Sequence, residues 1–191
     1  MNSRKTLFFT IILALLIVIG CSFAFIVAKN ILHERDISAQ NPDFFMHNVT
    51  YVQMDVDGNI RQQIVSPNLV HYPDNDVAVF QQPHLLVFNV AQKLWDISAD
   101  QGKSVAYMDR IYLSGNVNIE RLPTPDDLGF TVKTTTLTVY PSSQTADTKE
   151  PVTILQNGSI VNAIGAKADL AKGTIDLLSK VKGNYAPGKN N

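Results

Sequence analysis

One uninterrupted apolar run stands out in the pattern of hydrophobic and polar positions. From Leu7 to Ala28 the sequence has 22 residues without a charge. At 1.5 Å per residue, a helix of this length spans roughly 33 Å, enough for a hydrocarbon core of about 30 Å. Arg4 and Lys5 precede the run without an acidic neighbour, so the positive-inside rule leaves residues 1–6 in the cytoplasm. The pattern predicts a single-pass transmembrane helix at 7–28, with the rest of the chain across the membrane.

Two other interpretations of this run stay open. The first is a cleaved signal peptide, but its apolar region usually has about 7–15 residues, and this run is longer. The second is a lipoprotein, because Val18-Ile19-Gly20-Cys21 fits the loose pattern of a lipidation site. A lipidated cysteine is expected to precede a polar tether, whereas Ser22 is followed by Phe-Ala-Phe-Ile-Val-Ala. We favour an uncleaved anchor, in which Cys21 is a small apolar residue of the helix.

Beyond the run, apolar and polar positions alternate with a period of two, which is typical of half-buried β-strands. In one such stretch Thr135 is predicted to share a face with Leu137, and Thr134 to lie on the opposite face. Turn signals rich in Pro, Gly, Asn and Asp separate the stretches. The predicted boundaries are a polar linker at 29–42, an all-β domain at 43–184 and a polar tail at 185–191.

The β-domain also contains a degenerate repeat. Four predicted strand ends, each followed by a turn and a further strand, lie 35, 33 and 30 residues apart: Tyr72, Tyr107, Tyr140 and Leu170. The best-matched stretches are Ile111–Val117 and Ile175–Val181. A period of about 30–35 residues favours stacked β units, none of which can bury its apolar face alone. A β-sandwich with regularly spaced hairpins is the alternative.

Composition and charge exclude several classes of protein. The chain is 45% apolar and 17% charged, with a net charge of -1, so it is too apolar to be disordered. It has no basic excess for a phosphate backbone, which argues against nucleic acid as a partner. Its single cysteine cannot form an internal disulfide or a cysteine-rich zinc site. From Ile37 onward, 12 basic and 15 acidic residues leave the exported part slightly acidic.

Two uncharged stretches, Phe44–Val52 and Gly158–Ile164, are candidates for free sheet edges that pair with a partner's strand. The alternative is that one or both are interior strands. Lysines near the C-terminus, Lys180 among them, either protect an edge or set the register of a docked strand.

No motif predicts catalysis, a metal or a cofactor. Residues 55–59 (Asp-Val-Asp-Gly-Asn) resemble the start of a calcium loop but lack later ligands, and an Asp-Gly hairpin turn explains them better. The histidines do not have the close spacing of a metal motif, and we expect them on strand surfaces or in loops. The chain has no nucleophile elbow, P-loop or dinucleotide fingerprint. We therefore expect a protein that is not an enzyme.

Several stretches resemble the LptC family, the membrane-anchored component of lipopolysaccharide export. They are 56–60 (Val-Asp-Gly-Asn-Ile), 69–72 (Leu-Val-His-Tyr), 79–83 (Val-Phe-Gln-Gln-Pro), 111–119 (Ile-Tyr-Leu-Ser-Gly-Asn-Val-Asn-Ile), 151–153 (Pro-Val-Thr) and 178–181 (Leu-Ser-Lys-Val). The resemblance implies a twisted, open-sided β-jellyroll of stacked antiparallel strands behind an inner-membrane helix. It also implies that the periplasmic domain receives lipopolysaccharide from an ABC transporter and passes it to a periplasmic bridge protein.

An apolar jellyroll would shield acyl chains from water, and the lack of basic excess favours recognition through those chains. The candidate lipid-groove residues are the inward positions of the repeat strands: Val49, Tyr51, Ile64, Phe80, Leu85, Val87, Ile97, Ile111, Leu113, Val117, Ile119, Leu137, Val139, Ile154, Ile175 and Leu177. Plain core packing is the alternative for each position. The candidate docking residues are Phe44 and Phe45 for the transporter and Gly165 and Lys180 for the bridge protein. A membrane-anchored protein adaptor that carries no lipid is the alternative function.

Overall fold

A computed structural model of the chain describes residues 41–73, 76–88, 94–123 and 128–185. The predicted transmembrane helix at 7–28, Cys21 and the end of the predicted tail lie outside these residues. Within the described part, no helix has the length and apolar character needed to cross a membrane.

The described residues form eleven antiparallel strands and no helix. The strands are β1 (Phe44–Met54), β2 (Ile60–Tyr72), β3 (Val77–Gln81), β4 (His84–Phe88), β5 (Leu94–Ser98), β6 (Gln101–Val105), β7 (Arg110–Arg121), β8 (Phe130–Tyr140), β9 (Thr145–Gln156), β10 (Ser159–Asp169) and β11 (Thr174–Asn184). Asp55 accepts hydrogen bonds from the backbone N–H groups of Asp57 and Asn59 at 2.9 and 2.8 Å. This local capping explains the turn between β1 and β2.

The pairing of β2 and β7 divides the sheet into two layers. Residues 62–65 of β2 pair with β4, whereas residues 68–72 pair with β3. In β7, residues 110–114 pair with β6 and residues 118–121 with β5. Each long strand therefore contributes one half to a first layer, which contains β4 and β5. Its other half belongs to a second layer, which contains β3 and β6.

Backbone irregularities mark the line where strands pass between the layers, which we call the crease. Five crease residues have positive φ: Asn48 (54°), Gly115 (74°), Asn116 (43°), Gly165 (75°) and Lys180 (51°). The strand register shifts beside Gly115 and Gly165. Such bulges bend a strand and increase its twist. Glycine adopts positive φ without a steric penalty, which explains why two glycines lie at this line.

The degenerate repeat corresponds to turns at the free end of the second layer. Its markers all lie there: Tyr72 and Tyr140 end β2 and β8, Tyr107 lies in the β6–β7 turn, and Leu170 follows β10. The best-matched stretches begin β7 and β11, and their alignment sets Asn116 opposite Lys180. Both residues are crease residues with positive φ. Each of these two repeat copies thus contains a turn, a strand of the second layer and a crossing into the first layer.

A single cluster of buried apolar side chains joins the inner faces of the two layers. Trp95 and Ile97 contribute to it from the first layer, and Phe80 and Ile111 from the second. Burial of one such side chain stabilises the fold by about 1.5–3 kcal/mol. Neither layer could exclude water from its inner face alone, so the two depend on each other.

Side chains also join the free ends of the two layers on the side opposite the crease, a line that we call the seam. Each seam bond runs from a side-chain N–H to a main-chain carbonyl. In the described part of the chain such bonds include Arg61 to Ser142 (2.7 Å), Gln144 to Phe88 (3.0 Å), Trp95 to Leu170 (3.0 Å) and Arg121 to Gly173 (3.0 Å). The sequence resemblance implied a jellyroll that is open along one side. In the middle of the fold, these hydrogen bonds connect the two layers along that side.

One predicted strand face is wrong. Thr134 is buried and its hydroxyl donates to the carbonyl of Pro151 at 3.0 Å, whereas Thr135 is exposed. Leu137 is buried as predicted. The β8–β9 register is irregular between Lys133 and Thr138, because β8 crosses the crease there and its alternation changes phase.

Candidate functional site

The sixteen candidate lipid-groove residues lie in or against one apolar interior. Twelve belong to the buried cluster: Val49, Ile64, Phe80, Leu85, Val87, Ile97, Ile111, Leu113, Val117, Ile119, Leu137 and Val139. Ile154, Ile175 and Leu177 are partly buried and pack against that cluster. Tyr51 is 38% exposed and lines a pocket at one end of the interior. Their contact with lipid stays a prediction.

The sequence-based list missed other side chains of the same interior. Trp95, Val152, Val132 and Leu69 are all buried to the same extent as the chosen residues of the cluster. Trp95 alternates with Asp96 ahead of Ile97, so the period-two pattern could have identified it. Ala163 and Ala166 gave no such signal, because small residues are common on both faces of a strand.

The middle of the interior is filled by side chains. Trp95, Leu85, Ile97 and Val139 have no exposed surface, and Phe80 is only 1% exposed. Protein cores packed to this extent contain few voids larger than a water molecule. An acyl chain could therefore enter this region only if the two layers separated or side chains moved.

An apolar pocket of about 280 Å³ opens at the β1 end of the interior, and we call it the N-terminal pocket. It is lined from β1 by Phe44, Met46, Val49 and Tyr51, and from the rest of the fold by Leu69, His71, Asp76, Ala78, Phe80, Ser104, Tyr107 and Met108. β1 pairs with β2 alone among the described strands. No described strand lies beyond its other edge, and Phe44, Met46 and Tyr51 on its pocket face remain partly exposed.

Polar groups form one rim of the N-terminal pocket. His71 Nδ1 lies 2.7 Å from Asp43 Oδ1, and its Nε2 lies 3.0 Å from Asp76 Oδ1. Asp76 Oδ2 accepts the backbone N–H of Tyr107 at 2.7 Å. The ring of Phe44 stacks on the imidazole with the centroids 4.5 Å apart. The hydrogen bond with Asp43 raises the pKa of His71, and the same bond lowers the pKa of Asp43.

A second pocket of about 290 Å³ lies at the other end, beside β11, and we call it the C-terminal pocket. Its lining includes Phe130, Ile154, Ile175 and Arg121. The Arg121 guanidinium carbon lies 5.8 Å from the ring centroid of Trp95 and 5.6 Å from that of Phe130. These distances fit cation–π contacts. A cation thus lies where the apolar interior meets solvent.

The outer strands differ partly from the predicted edges. β1 has a free edge, and Phe45 is 71% exposed on it. The second uncharged stretch, Gly158–Ile164, belongs largely to β10, which pairs with both β9 and β11. That stretch is therefore interior, and among the described strands β11 lies outside it with a free edge. Composition alone could not reveal which strand is outermost, because β11, which carries lysines, lies outside the uncharged part of β10.

The two C-terminal docking candidates lie at backbone irregularities of the last two strands, and their contact with a partner stays a prediction. Gly165 is buried in β10 with φ 75°, and a Cβ there would lie 2.9 Å from Leu178 Cδ1. Lys180 has φ 51° in β11, next to the exposed Val181. Their shared property is that they shape the two last strands at the crease.

The fold and its interior define a β-jellyroll of the kind found in periplasmic lipopolysaccharide transport. A similar solved structure is LptH from Pseudomonas aeruginosa, described as the LptA homologous periplasmic component of the conserved lipopolysaccharide transport device. The likeness covers 66% of this chain and 95% of that chain, with a TM-score of 0.53 and 9% identity, and it shows the fold alone. No curated protein matches significantly.

The particular family follows from the sequence itself. The model of the family described as lipopolysaccharide-assembly, LptC-related, matches residues 11–186. The chain therefore belongs to the LptC family, and the resemblance predicted from its sequence motifs is confirmed. Family and fold together support a role in lipopolysaccharide transport and a periplasmic β-domain.

Proposed function

We propose that the β-domain carries lipopolysaccharide by enclosing its acyl chains in the apolar interior. The observation that carries the proposal is the single apolar cluster between the two layers, with an apolar pocket at the β1 end and a pocket of mixed polar and apolar lining beside β11. Exposing an acyl chain to water costs about 0.8 kcal/mol for each CH₂, so a carrier needs a continuous apolar path. The polar sugar would remain outside, above the seam.

The proposed direction of transfer runs from the β1 end to the β11 end. The inner-membrane ABC transporter would dock on the free edge of β1, near Phe44 and Phe45, and the predicted N-terminal helix would dock within the membrane. The periplasmic bridge protein would pair with the free edge of β11, whose shape depends on Gly165 and Lys180. Edge strands with unpaired N–H and C=O groups support such strand addition.

Recognition is proposed to depend mainly on the acyl chains. The exported part is slightly acidic overall, so it has no general attraction for phosphorylated headgroups. The chain is proposed to have no catalytic role, no cofactor and no metal, because energy for export would come from the transporter. The second candidate function, an adaptor that binds proteins but no lipid, is supported by the same free edges.

Photo-crosslinking distinguishes the two functions in the intact chain in cells. A photoreactive residue replaces Leu137, which is buried, or its exposed neighbour Thr136 as the matched control. The carrier predicts a lipopolysaccharide adduct from position 137 and little from position 136. Adducts from neither position, in a strain that still exports lipopolysaccharide, would favour the adaptor. Equal adducts from both would contradict an interior path.

A further inference from the structure

The geometry around His71 favours the protonated state of its ring. Both ring nitrogens lie within hydrogen-bond distance of aspartate oxygens, at 2.7 and 3.0 Å. An ionised carboxylate only accepts hydrogen bonds, and a neutral imidazole can donate from one nitrogen alone. Both contacts are therefore satisfied together when His71 is an imidazolium ion.

The bonds of His71 connect segments that are far apart in the sequence. Asp43 immediately precedes β1, His71 belongs to β2, and Asp76 lies in the turn before β3. Asp76 extends the connection to the β6–β7 turn by accepting the N–H of Tyr107. The start of the outermost strand is thus joined to a turn on the opposite side of the N-terminal pocket.

The β6–β7 turn has an unusual backbone. Three consecutive residues, Ala106, Tyr107 and Met108, have φ of 51°, 56° and 67°. Left-handed backbone is unfavourable for residues with a side chain and persists only where the surroundings hold it. The bond from the Tyr107 N–H to Asp76 is one such restraint, and Met108 packs against the apolar interior. Loss of the contact between His71 and Asp76 would leave Asp76 free to move, and the turn bonded to Asp76 would move with it and displace Met108 from the pocket.

We propose that protonated His71 is a latch that restricts the N-terminal pocket. Loss of its proton leaves a single donor nitrogen, which breaks one of its two aspartate contacts, loosens either β1 or the β6–β7 turn and widens access. The latch rests on the proposed function, because this pocket is one end of the proposed lipid path. It would regulate entry of an acyl chain at the edge where the transporter is proposed to dock.

The charged groups that face His71 from the described elements around it are Asp43, before β1, and Asp76, in the β2–β3 turn. From β3, the residue opposite it is Ala78. The Tyr107 phenol, on the β6–β7 turn, is largely exposed to solvent. The hydrogen bond to Asp43 raises the pKa of His71 above its ordinary value of 6.5. A raised folded-state pKa means that the latch stabilises fully below pH 6.5 and is lost as pH rises through the folded-state value.

Cysteine accessibility in the full-length chain tests the latch. In a Cys21→Ala background reconstituted in lipid nanodiscs, Met46→Cys reports on the pocket wall, and Val52→Cys is the control on the other face of the same strand. The two positions are 42% and 39% exposed. The ratio of their maleimide labelling rates cancels the intrinsic effect of pH on a thiol. Each cysteine is then combined with His71→Gln, which cannot become charged.

With His71 present, we expect the Met46→Cys to Val52→Cys ratio to rise several-fold from pH 5.5 to pH 8.5. With His71→Gln, the ratio should be high and independent of pH. A flat ratio in the His71 protein, or the same pH dependence in the variant, would overturn the latch. Lipopolysaccharide adducts at position 137 measure the proposed function separately. Adducts with a flat ratio reject the latch alone, and a rising ratio without adducts rejects the carrier alone.

Discussion

At the scale of single residues, Phe80 and Tyr51 show the difference between core packing and pocket lining, which a hydrophobicity pattern cannot distinguish. Both face the N-terminal pocket, but Phe80 is 1% exposed whereas Tyr51 is 38% exposed. A charge at Phe80 would be buried without a partner and would disrupt folding. A charge at Tyr51 remains in contact with water, so Tyr51 is the better position for testing lipid contact without unfolding the protein.

We predict that Tyr51→Glu reduces the amount of lipopolysaccharide that co-purifies with the full-length chain and leaves the unfolding midpoint nearly unchanged. A carboxylate in the pocket wall would oppose entry of an acyl chain, because a charge loses its hydration there. Thr50→Glu is the matched control, since Thr50 is exposed and its side chain lies on the other face of β1. Equal lipid loss in both variants would show that the pocket has no special role.

Trp95 combines packing with a hydrogen bond at the seam. We predict that Trp95→Phe lowers the free energy of unfolding by about 1–3 kcal/mol, because it removes the indole donor to Leu170 and leaves a small cavity. Urea unfolding followed by circular dichroism measures the loss. Tyr107→Phe is the control: its ring is largely exposed, so the change should be within about 0.5 kcal/mol. A similar effect of both substitutions would contradict the importance of the seam bond.

At the scale of strands, turn chemistry and period-two alternation were sufficient to predict β-structure and most inward positions. The turns after β1, β8 and β9 follow from Asp-Gly, Pro-Ser and Asn-Gly pairs. The face of Thr134 and the interior position of β10 were not predictable in the same way. The first depends on where β8 crosses the crease, and the second on which strand pairs with the outer edge of β10. Both are set by pairings between residues far apart in the sequence.

The rim at His71 was missed for the same reason. The sequence suggested only that the histidines lie on strand surfaces or in loops, and nothing in local spacing links Asp43 with His71, 28 residues apart. The contact exists because β1 pairs with β2 in a register that sets Phe44 opposite His71. Register, rather than composition, creates this part of the site.

Gly165 tests the crease as a structural element. We predict that Gly165→Ala destabilises the protein more than Gly58→Ala, although both positions have positive φ. At Gly165 the added Cβ would lie 2.9 Å from Leu178, whereas at Gly58 it would have nothing within 4 Å. Each substitution carries a conformational cost of roughly 1–2 kcal/mol, and Gly165→Ala adds a steric one. Equal unfolding midpoints for the two variants would exclude this steric contribution.

At the scale of the whole molecule, the filled interior and the seam both limit the space that is open to an acyl chain. The carrier function needs space for acyl chains, but the layers pack on each other and are bridged by the side-chain bonds of the seam. The neutral bonds of Gln144 and Trp95 contribute about 0.5–1.5 kcal/mol each, and the charge-assisted bonds of Arg61 and Arg121 about 1.5–3 kcal/mol each. Breaking these bonds one at a time costs less than unfolding, and parting the layers over a short stretch would expose only the cluster side chains beneath it while the strand pairing persists.

Gln144 provides the means to test whether loading requires this opening. Gln144→Ala removes the bond to the Phe88 carbonyl but no side chain of the apolar cluster. We predict that it lowers the free energy of unfolding by about 1 kcal/mol and increases the rate at which lipopolysaccharide reaches position 137 in the purified full-length chain. Time-resolved photo-crosslinking measures that rate. Ser143→Ala, in the same turn but without a seam bond, should leave the loading rate unchanged, because its hydroxyl contacts only its own turn and the start of β9. If Gln144→Ala destabilises the fold yet loads at the original rate, lipid enters through the end pockets with the seam closed, and parting of the layers is not the limiting step.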